Sequence, residues 1–87
     1  MVSTKHPLGK RNKPVAKPDY ETFKAAILAA LRRNELTHTE LLNELTGSLK
    51  GKFTGNVGWH LMVVKLDLEA RKLIERTTSS PQRYRLR

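Results

Sequence analysis

Cysteine is absent from these 87 residues. That excludes a disulfide framework, a zinc finger built on thiolates and a thiol nucleophile. Long apolar runs are absent too. The longest, the seven residues Ala25–Leu31, is far below the roughly 18 to 20 residues of a membrane-spanning helix. The basic N-terminus has no apolar stretch after it, so it does not read as a secretory signal. Acidic residues are scarce: eight against seventeen Lys and Arg, a net charge of +9. The expectation from these absences is a small cytoplasmic domain. A hydrophobic fraction of 38% is too high for a wholly disordered chain, and the length allows one domain.

The excess charge sits at the two ends. Residues 1–18 hold Lys5, Lys10, Arg11, Lys13 and Lys17 with no acid, and residues 76–87 hold Arg76, Arg83, Arg85 and Arg87 with no acid. One sign of charge at both ends points to a polyanionic partner. Pro7, Pro14 and Pro18 punctuate the first segment, and each pushes its predecessor out of the helical region. Residues 1–17 therefore read as a flexible basic arm, and residues 18–87 as the folded domain.

Asp19 reads as the N-cap of a first helix, with Tyr20, Phe23, Ile27, Leu28 and Leu31 at helical spacing. Leu36-Thr37 is a bridge or strand stub. Thr37 with Glu40 three residues on predicts a capping box and a second helix carrying Leu41, Leu42, Leu45 and Leu49. Gly47, Gly51 and Gly55 lack the order of a phosphate-binding loop. Phe53 reads instead as an anchor for that loop. A third helix, from about Asn56 to Lys72, carries two apolar stripes. One is Val57, Leu61, Val64 and Leu68; the other is Trp59, Met62, Val63, Leu66 and Ala70. Two stripes predict packing on both sides. Its polar edges are His60, Asp67 and Arg71 on one side and Lys65, Glu69 and Lys72 on the other. Leu73–Arg76 and the alternating Gln82–Arg87 predict a closing hairpin, with Tyr84 and Leu86 on one face and Arg83, Arg85 and Arg87 on the other.

The expected fold class is α+β, mainly α: three helices plus a C-terminal β-hairpin, the order of a winged helix-turn-helix. A three-helix bundle with a disordered tail is the rival, and the alternation of 82–87 argues against it. Gly58-Trp59, Val64, Leu66-Asp67-Leu68-Glu69-Ala70, Ile74, Arg76 and Pro81-x-Arg83-Tyr84-Arg85 resemble a small bacterial family of winged-helix domains of unknown function. The resemblance spans roughly residues 7–86. It implies the winged-helix fold and brings no established activity.

No constellation supports catalysis, and no metal or cofactor is expected. His6, His38 and His60 have no partner at metal-pair spacing, Asp67 and Glu69 fall on different sides of their helix, and Ser79-Ser80 has no arranged base. The leading expectation is duplex DNA binding of weak sequence specificity. The second helix of a helix-turn-helix enters the major groove, which makes Asn56, His60 and Lys65 the candidate base-edge contacts. Lys50, Lys52, Arg83, Arg85, Lys10, Arg11 and Lys13 are the candidate phosphate contacts. The alternative is a protein-interaction or dimerisation module using Trp59, Met62, Val63 and Leu66. Neither a membrane nor a small-molecule ligand is expected. An exposed polar face on the third helix would favour DNA; an exposed Trp59 stripe would favour a protein.

Overall fold

Pro18 occupies the second position of helix α1, Lys17–Arg33, where its missing N–H costs nothing. The helix thus starts ahead of the expected Asp19, which lies inside the first turn. The computed structural model describes residues 2–9 and 12–87. Helix α2 spans His38–Ser48, α3 spans Val57–Ala70, and strands β1, Ile74–Arg76, and β2, Tyr84–Leu86, close the chain as an antiparallel pair. Ile74 faces Leu86, Glu75 faces Arg85 and Arg76 faces Tyr84. The fold is α+β, three helices followed by a hairpin.

Leu36 adds a third rung to the sheet. Its N–H donates to Tyr84 O at 3.1 Å, and Tyr84 N–H returns to Leu36 O at 2.7 Å. The expected capping box is present in full: Glu40 N–H donates to Thr37 Oγ1, and Thr37 N–H donates to Glu40 Oε1. Thr37→Ala is expected to cost about 1 kcal/mol, read as a lowered urea midpoint with an unchanged slope. Phe53 does anchor its loop, its ring edge-on to Phe23 at 4.9 Å.

The core gathers Phe23, Ile27, Leu41, Leu45, Leu61, Val64, Leu68, Ile74 and Tyr84. Both sides of α3 are covered, but unevenly. Val57, Leu61, Val64 and Leu68 face the other helices, with the last three fully buried. Of the second stripe only Val63 is fully buried; Leu66 and Ala70 are half-buried, and Trp59 and Met62 are exposed.

The cover over that second side comes from the N-terminal segment. The composition of residues 1–17 predicts a flexible basic arm. Instead, Val2 pairs with Val15 in an antiparallel bridge, and the Thr4 hydroxyl donates to Lys13 O. Asn12 Nδ2 donates to Lys5 O and to Val63 O, both at 3.0 Å. Lys5 N–H donates to Asp67 Oδ1 at 2.7 Å. The segment is extended, as its prolines require, but it is strapped along α3. Its turn, His6–Gly9, closes with Gly9 N–H to His6 O at 2.9 Å, and Gly9 takes φ +76°. That conformation suits glycine and leaves Leu8 pointing outward.

Candidate interaction surface on helix α3

The polar side chains chosen as base readers are engaged inside the domain. Asn56 is the N-cap of α3, its Oδ1 accepting from Trp59 N–H at 2.9 Å. His60 Nδ1 donates to Asn56 O at 2.8 Å. Its ring lies over Phe23 at 5.3 Å and meets Phe53 and Trp59 edge-on, each at 4.8 Å. Its Nε2 faces Asp19 Oδ2 at 3.9 Å. Lys65 is 5% exposed and cannot reach a groove. Its Nζ donates to Tyr84 OH and to His38 Nδ1, both at 2.9 Å, and lies 4.0 Å from the Tyr84 ring centre. The polar edges expected on α3 are therefore partly interior, because the strap and the hairpin bring partners to them.

Lys65 has no carboxylate beside it, which is unusual for a buried ammonium. Burial, and then the Lys65 charge, hold the His38 imidazole below its ordinary range. An unfolded chain takes up a proton at His38 near pH 6.5; the folded chain resists until lower pH. Stability is thus full above that value and falls as pH drops through the window between the two. The urea midpoint is expected to decrease from pH 8 to pH 5, with a smaller decrease in His38→Gln. Identical slopes in the two proteins would remove His38 from the account. Glu40 and Arg83 sit next to this cluster and carry charge of their own, so the comparison is made within one pH series.

The candidate phosphate contacts divide by residue type. Arg83 reaches Glu40 at 3.3 Å; Arg85 reaches Glu75 at 2.7 Å and Glu35 at 3.5 Å. Arg33, Arg71, Arg76 and Arg87 pair with Glu44, Asp67, Glu69 and Glu75. Six carboxylates are held by arginines, and Asp19 faces His60. No described lysine has a carboxylate within 4.0 Å. Lys13, Lys50 and Lys52 are exposed. Lys10 and Arg11 lie outside the described residues.

What α3 offers to solvent is apolar. Trp59 and Met62 are 37% and 45% exposed. With Leu66 they follow i, i+3, i+7 spacing, a single line along the helix. Val63, the fourth residue of the expected interface, is wholly interior. Leu66 lines an open cleft of about 410 Å³ at the far end of this line. Its other walls are the strap turn, His6 to Leu8, and the β1 residues Ile74 to Arg76, with Glu69 and Arg87 at the rim. Leu8 is 75% exposed there. Among the described residues no three His, Cys, Asp or Glu side chains are grouped for a metal. No described helix is long and apolar enough to cross a membrane.

A family match covers residues 1–84. The chain belongs to DUF6958, a family of unknown function. Comparison with curated proteins and with solved structures returned no match. The DUF6958 match begins at the strap and takes in all three helices and β1, ending at the first residue of β2.

Sequence reasoning missed Asp67 and Asn12, the two side chains that fasten the strap. Asp67 is fully buried and accepts from Lys5 N–H, from Tyr20 OH and from Arg71 Nε at 2.8 Å. Burial first, and then the Asp67 hydrogen bond, push the Tyr20 phenol up to about 12. The available signal was Asp67 itself, a carboxylate inside the apolar run Leu66–Leu68.

Proposed function

We propose that this DUF6958 chain is a protein-interaction module on a winged-helix scaffold, binding a partner along the outer face of α3. The order helix, Leu36 rung, helix, helix, hairpin is that of a winged helix-turn-helix, with residues 77–83 as the wing. In a DNA reader of that plan the outer face of the third helix is polar. Here it carries Trp59 and Met62, and this observation carries the reading. Among the described residues, three of the four exposed large hydrophobic side chains, Leu8, Trp59 and Met62, line this face or its cleft; the fourth, Leu73, immediately precedes β1. Exposed apolar side chains gathered in one place mark association.

A photo-crosslinking residue at Met62 tests this, with one at Arg32 on α1 as the reference. The expected result is a discrete protein adduct specific to position 62. The isolated partner should bind the purified chain, and Trp59→Ser should weaken that binding about tenfold or more. Adducts indistinguishable from those at Arg32 would sink the reading.

The uncompensated lysines favour a second reading, duplex DNA binding through backbone contacts. Anisotropy of a random duplex across a salt series separates the two. Binding that survives Trp59→Ser and is lost in Lys50→Ala/Lys52→Ala would assign DNA. In that case Arg83→Ala/Arg85→Ala, which loosens only exposed ion pairs, should lower the salt slope by about 2.

A further inference from the structure

The occupant of this face can be specified from its charge and its length. Resting on the docking reading above, we propose that it is an acidic amphipathic helix of another protein. Its apolar side chains lie on Trp59, Met62 and Leu66, and its carboxylates face Lys13, Lys50 and Lys52.

Length comes first. From Trp59 to Leu66 the line covers about 10 Å of helix, and the cleft beside Leu66, walled by the strap turn, continues it. A line of i, i+3, i+7 side chains is matched by a second helix with the same spacing. Two exposed side chains and one cleft are too little apolar surface for a stable dimer of whole domains, which buries about 1,200–2,000 Å². A short segment fits the dimensions better than a second copy of the chain.

Charge comes next. Lys50 and Lys52 precede Phe53, whose ring touches the His60 ring beside Trp59. Lys13 follows Asn12, whose amide holds Val63 O on the neighbouring turn of α3. Lys50 and Lys52 belong to the loop that leads into the Trp59 end of the line, Lys13 adjoins the strap residue held at its middle, and none has a carboxylate within 4.0 Å. At the cleft end Glu69 is matched by Arg76 and Glu75 by Arg85 and Arg87, and Lys5 is exposed beside Ala70 and the strap turn with no ion pair of its own. The uncompensated lysines along the line select an acidic partner. A polyanion such as DNA would answer the lysines but leave Trp59 and Met62 without a counterpart. Met62 adds an adaptable apolar contact.

Trp59 is the single tryptophan of the chain, so its emission reads occupancy directly. The full chain is titrated with three synthetic peptides of about 15 residues. All three carry leucines at i, i+3 and i+7; the polar positions of one end are glutamate, glutamine or lysine. The glutamate peptide should shift Trp59 emission to the blue and bind about tenfold or more tighter than the glutamine peptide at physiological salt. Lys50→Ala/Lys52→Ala should remove that advantage and leave the glutamine peptide unaffected. Equal binding of the glutamate and glutamine peptides overturns the acidic partner while the apolar docking reading stands. An emission spectrum unmoved by any of the three overturns both. A random duplex that shifts the emission as strongly as the glutamate peptide overturns the choice of protein over nucleic acid. Concentration-dependent dimerisation abolished by Met62→Glu replaces the proposed partner with a second copy.

Discussion

Asp67→Ala is expected to be among the most damaging single substitutions outside the apolar core, costing about 3–5 kcal/mol. The carboxylate is wholly inaccessible and ends three hydrogen bonds from three parts of the chain: the strap at Lys5, α1 at Tyr20 and the end of α3 at Arg71. Alanine leaves the Tyr20 hydroxyl as a buried donor without an acceptor, at a cost of about 1–3 kcal/mol, and frees the part-buried Lys5 amide. Arg71 is half in solvent and loses less. Two readouts go beyond a lowered urea midpoint. The Lys5 amide should exchange with solvent much faster, because its acceptor is gone. Tyr20 should ionise at lower pH than the value near 12 it has beside Asp67. In the intact protein that raised value makes stability full below pH 10 and has it decline as pH rises toward 12; in the variant burial alone raises the phenol, so this alkaline decline should be smaller. A loss under about 1 kcal/mol with Lys5 exchange unchanged would mean that the strap is not held through Asp67.

Phe23→Ala should cost a similar amount, about 3–5 kcal/mol. The ring is completely enclosed, with Phe53 edge-on at 4.9 Å and His60 face-on at 5.3 Å. The consequence reaches beyond stability, because His60 supports Trp59. Removing Phe23 takes the floor from under both His60 and the loop that carries Lys50 and Lys52. Leu68→Ala is the control: it is equally enclosed and should cost about 2–5 kcal/mol, but it lies eight residues beyond His60, about 12 Å along α3. The pair is distinguished by NMR. Phe23→Ala should move the His60 and Trp59 ring resonances strongly, and Leu68→Ala should leave them near their original positions. Equal shifts in both variants would show that the stack does not behave as a local unit.

Local rules carried the architecture. Thr37 and Glu40 announce α2, Tyr84 and Leu86 against three arginines announce the second strand, and Leu36-Thr37 is short enough for only the single rung it makes with Tyr84. The outer face of α3 was half legible: Trp59 and Met62 lie where the spacing placed them, but periodicity alone could not show Val63 wholly interior and Leu66 half-buried at the cleft. The misses share one physical cause. Asp67 lies 62 residues from the Lys5 amide, Asn12 lies 51 from the Val63 carbonyl, and Lys65 lies 27 from His38. Each looked like a solvent-facing polar residue, because helical spacing reports which side of a helix a residue occupies and not what covers that side. The prolines of the first segment said only that it was not helical, and an extended strap satisfies them as well as a free tail.

The division of labour between the two basic residue types also bears on chemical modification. Arginines take the carboxylates, so the lysines are almost spectators of the fold. Acetylating them removes positive charge without dismantling an ion pair, and the surface can pass from strongly cationic toward neutral while the domain stays folded. Lys65 is the exception: sealed between His38 and Tyr84, it should be the last lysine to react when the folded protein is treated with acetic anhydride and mapped by mass spectrometry. Early acetylation at Lys65 would mean that the hairpin opens readily over α3.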